Sequence, residues 1–306
     1  MRQFLACDVG GTFTDVVVFD QATGEVSYAK APTLPDRPTQ GLANAIGKSS
    51  ASLPDVGAFF HGTTLGINTV LEGKGARTGF ITTKGYRDTL EIARMWWPLF
   101  QLHYEKPPPL VPRYLCKEVT ERLSADGKEL QPLVEADVRR VAAELVRDGV
   151  EAIAVCLLNA YVQPVHEKRV GEIIRSEHPG VAVTLSHEVS REYREYERAS
   201  TTVIDAMIKK RMAEYLDELE TWFRKQGFHG AFFVTRCDGG VMSAVESKLQ
   251  PVRTLISGPA SGVMGCVQMS RWLNLPNVIG IDMGGTSFEA SVVMNSEAVT
   301  LSLIHI

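Results

Sequence analysis

Long basic runs are missing from this 306-residue chain: 32 lysines and arginines are scattered among 36 aspartates and glutamates, for a formal charge of −4. Nucleic acids are bound by clustered cations that displace condensed counterions, so no nucleic-acid partner is expected. Cysteine is scarce as well. Cys7, Cys116, Cys156, Cys237 and Cys266 are odd in number, widely spaced and never arranged as Cys-x-x-Cys. A disulfide framework and a zinc or iron–sulfur centre are therefore not expected, and a reducing cytoplasm suits the chain best. The longest apolar run, 152–158, falls far short of the ~20 residues that a bilayer demands, so no membrane partner is expected either. The first residues lead straight into a strand pattern with no signal peptide.

What the chain does have is ordinary globular composition, 44% hydrophobic and 22% charged, and enough length for about two domains. It also has a repeated string. Asp8-Val9-Gly10-Gly11-Thr12-Phe13-Thr14-Asp15 returns as Asp282-Met283-Gly284-Gly285-Thr286-Ser287. Each copy lies between two short apolar runs, which predicts strand, glycine turn, strand. The paired glycines are expected to take positive φ and to bring backbone N–H groups against an anion. The acid ending each first strand suits a hydrated divalent cation. Such a duplicated phosphate hairpin resembles the actin, sugar-kinase and Hsp70 type of RNase H-like ATPase, which clamps ATP between two similar α/β lobes. The second lobe is expected to be incomplete here.

Between the hairpins, His61-Gly62-Thr63-Thr64 predicts a strand end and a polar turn, with Asn68 on the helix that follows. By spacing alone, His61 is a packed core residue and the threonines are caps. Met95-Trp96-Trp97-Pro98-Leu99-Phe100 reads as a substrate-pocket lining or as core, and 106–112 as a stiff proline-rich surface segment. An amphipathic helix over 134–147, a nearly all-apolar strand over 150–158, a helix from Pro164 and a strand at 181–185 predict a parallel α/β lobe. By pattern alone, the alternating charges of 187–198 read as a solvated helix face. They lead into a long helix ending near Gln226. Small residues at 257–265 open another helix, fit for a hinge between lobes. The expected division is 1–190 and 191–306.

With these strings in view, the chain resembles the hydantoinase A / 5-oxoprolinase family, which also holds the ATP-hydrolysing subunits of acetone-type carboxylases. The matching strings include both hairpins, His-Gly-Thr-Thr (61–64), Gly-Tyr-Arg-Asp (85–88), Ser-His-Glu-Val (186–189), Glu-Tyr-Arg-Glu-Tyr-Glu-Arg (192–198) and Ser-Gly-Pro-Ala (257–260). The resemblance implies ATP and Mg²⁺ as cofactors, and phosphorylation of a reluctant carbonyl in a cyclic amide. A B-type subunit is the implied partner.

Carried over, Asp8 and Asp282 would orient the metal and a water. Gly10, Gly11, Thr12, Phe13, Thr14 and Asp15 would hold one set of phosphates, and Gly284, Gly285, Thr286 and Ser287 the other. His61 and Arg194 are catalytic candidates; Thr63, Thr64, Asn68 and Arg198 are substrate candidates. Two departures stand out. Phe288-Glu289 replaces the family's Thr-Asp, and family members are much longer, so a truncated chain with a foreign tail over 301–306 is expected. The alternatives are an acetone- or acetophenone-type carboxylase subunit, a catalytically silent interaction module, or a sugar kinase, whose zinc cysteines are missing.

Overall fold

A computed structural model describes residues 3–34, 37–94, 103, 105, 107–283 and 288–299. The aromatic string 95–100, Lys106, the tip residues Gly284, Gly285, Thr286 and Ser287, and the tail 301–306 lie outside the described residues. The chain begins as a meander of β1 (Gln3–Val9), β2 (Phe13–Asp20) and β3 (Val26–Pro32). It continues through α1 (Pro38–Ile46), β4 (Val56–Thr63) and α2 (Leu65–Leu71). β1 and β2 bury every second residue, because successive strand side chains point to opposite faces. Leu5, Val9, Val16 and Val18 go inward, where they join Leu42 and Ala45 of α1 in one core.

Next come β5 (Thr78–Thr83), α3 (Thr89–Ile92), β6 (Cys116–Val119), β7 (Arg122–Leu123), β8 (Glu129–Gln131) and α4 (Glu135–Arg147). The Asp126-Gly127 turn joins β7 to β8, and Gly127 takes φ +80° there. β9 (Ala152–Cys156), α5 (Val165–Glu177), β10 (Ala182–Leu185) and α6 (Ser186–Val189) follow. The sheet order is β10-β9-β5-β6, with every pairing parallel. All residues of β5 and β9 are buried, as strands covered on both faces must be. Described residues of the proline-rich segment, 107–112, take neither helix nor strand.

The long α7 (Glu195–Lys225) starts eight residues later than the front of the charged run. Its first part gives Ala199, Val203 and Ala206 to the core of the parallel sheet. Its second part gives Leu216, Leu219 and Phe223 to the core beneath β1 and β2. β11 (Ala231–Thr235), β12 (Val241–Ser243), α8 (Ala244–Leu249) and α9 (Ser257–Trp272) come next. β13 (Val278–Met283), β14 (Phe288–Met294) and β15 (Glu297–Ala298) close the chain as a separate small sheet. The larger sheet runs β12-β11-β4-β1-β2-β3, with β1, β4 and β11 parallel.

By contacts the chain divides elsewhere than at the expected break near residue 190. One unit joins Met1–Glu72 to Arg211–Ile306, and the other is Gly73–Lys210. The physical reason is that β11, distant in sequence, completes the β1–β4 sheet, so the intervening lobe is an insertion. The α/β class expected from the strand and helix patterns is the class observed.

Candidate functional site

Asp8 stands near the carboxyl end of β1 in the first unit. Across the hairpin it faces Asp15, and on its other side it is registered with Gly62 of β4. A Cβ at Gly62 would come 2.9 Å from Asp8 Oδ1, so only glycine leaves that carboxylate room. Gly258, in the first turn of α9, flanks it as well: its Cβ would lie 3.6 Å from the same oxygen. Asp8 is open to solvent, yet the protein around it withdraws enough water to raise its carboxyl pKa above the ordinary value. The charges of Asp15, Asp282 and Glu289 push the same way.

The second hairpin repeats this register. Asp282 pairs with Glu289 as Asp8 pairs with Asp15, so Glu289 takes the place of Asp15. Both strand-end acids therefore belong to one unit and one electrostatic neighbourhood. Among the described residues no three potential ligands already converge on a metal.

Several expected roles need correction at this point. Neither Gly10 nor Gly11 takes a positive φ. The turn closes instead through Gly10 N–H donating to Phe13 O at 3.0 Å. Thr14 points into the core, fully buried, with its hydroxyl 3.0 Å from that of Thr33, because strand alternation puts it on the same face as Val16. It is not presented to a phosphate. Asp15 pairs with Lys30 at 3.1 Å, and the Lys30 ammonium also stands over the Phe13 ring. Thr12 and Phe13 remain exposed at the tip.

His61 is fully buried on β4, one residue before Gly62. Its Nε2 lies 2.9 Å from the Tyr215 hydroxyl of α7, and burial lowers its pKa to about 3. The imidazole is neutral and closed to solvent, so in this conformation it braces β4 against α7 instead of shuttling protons. Thr63 is buried, and its hydroxyl accepts from Leu65 N–H at 3.2 Å. Thr64 donates to Val9 O, and Asn68 donates to Thr64 Oγ1 at 3.1 Å. These three fix the corner between β4 and α2, and thereby the position of Gly62 beside Asp8.

Arg194 and Arg198 belong to the other unit. Arg198 is 1% exposed; it donates to Leu157 O at 2.8 Å, Glu192 O at 2.9 Å and Ser186 Oγ at 3.2 Å. It is an internal strut, and the solvated-face reading of 187–198 fails for it and for buried His187. Arg194 is exposed and takes φ +82°, an uncommon conformation for a side chain of that bulk. The reading of the sequence missed Gly62, Gly258 and Tyr215. The strings His-Gly-Thr-Thr and Ser-Gly-Pro-Ala contain both glycines, but nothing local in them reveals that they flank Asp8.

Comparison with known proteins places the chain. Residues 4–178 match the Hydantoinase/oxoprolinase N-terminal region and residues 198–303 match Hydantoinase/oxoprolinase. The chain belongs to the hydantoinase/oxoprolinase family, whose characterised relatives include ATP-dependent cyclic-amide hydrolases and carboxylase subunits. It is 37% identical to the acetophenone carboxylase gamma subunit of Aromatoleum aromaticum, over 94% of this chain and 42% of that protein. It is 32% identical to the caprolactamase subunit alpha of Pseudomonas jessenii, over 94% of this chain and 43% of that one. The nucleotide-free structure of acetone carboxylase superposes with a TM-score of 0.86 at 28% identity, covering 97% of this chain and 44% of that chain. This chain thus spans less than half the length of each of these relatives. No helix among the described residues is long and apolar enough to cross a membrane.

Proposed function

We propose that the chain supplies the phosphate- and metal-binding face of an ATP-dependent enzyme that opens cyclic amides such as hydantoins, 5-oxoproline or lactams. The observation that carries this reading is the matched register of the two hairpins, which sets Asp8 opposite Asp15 and Asp282 opposite Glu289. Asp15, Asp282 and Glu289 all act on the Asp8 carboxyl and, after burial, raise its pKa further. Carboxylates gathered beside glycine backbone, with Lys30 pairing Asp15 alone among those that act on Asp8, fit Mg²⁺ carrying a polyphosphate.

ATP, when bound, would supply a phosphoryl group that turns a carbonyl oxygen into a leaving group. The chain's own part is positioning. Asp8 and Asp282 would hold the metal's waters; Gly11 and Thr12 would offer backbone and hydroxyl donors at one tip, with Gly10 N–H closing the turn on Phe13 O, and Gly284, Gly285, Thr286 and Ser287 would serve the other set of phosphates. His61, Thr63, Thr64 and Asn68 keep β4 in register, so that Gly62 leaves the Asp8 carboxylate clear.

A second reading is an ATP-hydrolysing carboxylase subunit, favoured by the likeness to acetophenone and acetone carboxylases. Relatives carrying subunit names support a B-type partner in either case. The test combines the chain, in its full-length context with its partner subunit, with Mg-ATP and a substrate panel. ATP turnover stimulated by hydantoin, 5-oxoproline or caprolactam supports the first reading. Stimulation by ketones with bicarbonate supports the second, and no turnover with any of them leaves a catalytically silent interaction module.

A further inference from the structure

The unit formed by Gly73–Lys210 carries a short hairpin that the nucleotide reading does not use. β7 and β8 form a two-stranded sheet of their own, beside the four-stranded one. The strand order of the larger sheet reverses between β5 and β9, and in open parallel sheets the carboxyl ends at such a reversal form a crevice. Here the hairpin lies across those ends. Glu121, at its root, accepts from the hydroxyl of Thr83, which ends β5. Leu123 O accepts from Asn159 Nδ2, just past β9, at 2.8 Å. At the tip, a Cβ on Gly127 would stand 3.3 Å from both Gln163 and Val162.

The two strands are held unequally. Glu121 and Leu123 are 2% and 1% exposed, whereas all three residues of β8 are exposed. Among the described residues, the side chains of β8 make one bond outside the hairpin, from Glu129 to His166.

His166, in the first turn of α5, is buried between two carboxylates. Its Nδ1 lies 2.7 Å from Glu121 Oε2, and its Nε2 lies 2.9 Å from Glu129 Oε2. A neutral imidazole has a single N–H and cannot donate to both. Together the two bonds need one proton more than a neutral ring between two carboxylates supplies. Other charged groups nearby are turned elsewhere. Glu167 of the same helix bonds Leu157 N–H, Ser186 and His187, Arg122 of β7 lies over the Tyr86 ring, and Asp137 of α4 accepts from Thr120 N–H. The two partners of the ring differ in their access to water. The Glu121 side chain is fully enclosed and also takes the Thr83 hydroxyl, whereas that of Glu129 is 52% exposed.

We propose that Glu121, His166 and Glu129 form a proton-operated latch, which holds β8 over the carboxyl ends of β5 and β9 while the extra proton is bound and frees it when that proton leaves. In that step the Nε2–H bond breaks, its electron pair stays on the ring, and the proton passes to water. The remaining N–H stays with Glu121, because a buried carboxylate stripped of a donor costs more than one that water can reach. Bare Nε2 and the Glu129 carboxylate are then two acceptors facing each other, and Glu129 turns into water and takes β8 with it. The latch is closed on the acid side of the ring's own titration and open on the alkaline side. It rests on this unit alone and requires no nucleotide.

The test uses the whole chain and makes two readings between about pH 5 and about pH 9, the span in which histidine serves as a switch. The first is the titration of the His166 ring, from its ¹³C–¹H signals, with His166→Gln identifying them. The second is hydrogen exchange over 122–131, expressed as protection after correction for the intrinsic effect of pH. Protection is expected to fall roughly tenfold as pH rises, the loss of one charge-assisted hydrogen bond, with the same midpoint as the ring. Glu129→Gln distinguishes a latch from a strut. Its amide can accept from the imidazolium and donate to the neutral ring's Nε2, so this variant should stay protected on both sides of the midpoint. A ring that keeps one protonation state throughout, wild-type protection that ignores the ring's titration, or a Glu129→Gln variant with the wild-type pH dependence would overturn the proposal.

Discussion

Leu5, Val16 and Val18 of the first hairpin are buried beneath α1 and α7, whereas Ile279, Ile281, Met283 and Phe288 of the second stand open, Ile281 at 66% exposure. The strings at the two tips are nearly the same, and so is the register of the facing acids. What differs is support. β1 and β2 lie in a six-stranded sheet, while β13 and β14 lie in a three-stranded one that packs against α9. At Gly280 a Cβ would meet Cys266 Sγ of that helix at 2.5 Å, so the absent side chain is what seats β13 on α9. A glycine-tipped hairpin with facing acids is a local motif and can be copied in a few residues. The face that holds it still must come from elsewhere in the fold.

This contrast can be broken by truncating side chains. Leu5→Ala should cost about 2–5 kcal/mol, the usual cost of a cavity under a well-packed sheet, whereas Ile281→Ala should stay within about 0.5 kcal/mol. Urea unfolding midpoints of the two variants check this; similar losses would mean that the second hairpin is covered in solution.

The next effect in size concerns the proposed metal site. Gly62→Val must displace the Asp8 carboxylate, because its Cβ alone falls 2.9 Å from Oδ1. Mg²⁺-dependent ATP affinity should drop about 10–100-fold, the usual loss when a metal ligand or its support is disturbed, with the thermal midpoint little changed. An unchanged affinity would detach Asp8 from the metal.

A smaller effect belongs to pH. Because burial lowers the pKa of His61 to about 3 from an ordinary 6.5, the unfolded chain binds a proton that the folded chain refuses. The stability that depends on neutral His61 is fully present above pH 6.5 and is lost progressively as pH falls from there toward 3. Between pH 8 and pH 5 the wild type should lose more stability than His61→Gln, as urea midpoints would show. Parallel curves would mean that the imidazole is hydrated.

Smallest of all, Phe288→Thr should leave the fold unchanged and reduce self-association in sedimentation, since it removes one exposed aromatic from an open face.

Much of this architecture was legible from periodicity. β1 and β2 announce themselves by alternation, β9 by its unbroken apolar run, and α4 by its stripe of Val138, Val141 and Leu145. The facing acids were visible as a repeated string. What escaped is what depends on partners far away in sequence. Arg198 and His187 look solvated in a charged run, and only Glu167, Leu157 and Ser186, brought in by other elements, draw them inside. The discontinuous unit could not be read locally either, because β11 joins β4 across an inserted lobe. Thr14 is different: strand alternation with Val16 and Val18 already requires it to face inward.

The central claim is that Asp8 and Asp282 act on one metal–phosphate complex, and calorimetric titration of Mg-ATP into the wild type, Asp8→Asn, Asp282→Asn and the double variant tests it most directly. The account predicts that each single change weakens Mg²⁺-dependent binding and that the double change costs clearly less than the sum of the two, as for residues sharing one site. Additive losses, or an Asp282→Asn variant that binds as the wild type does, would contradict it.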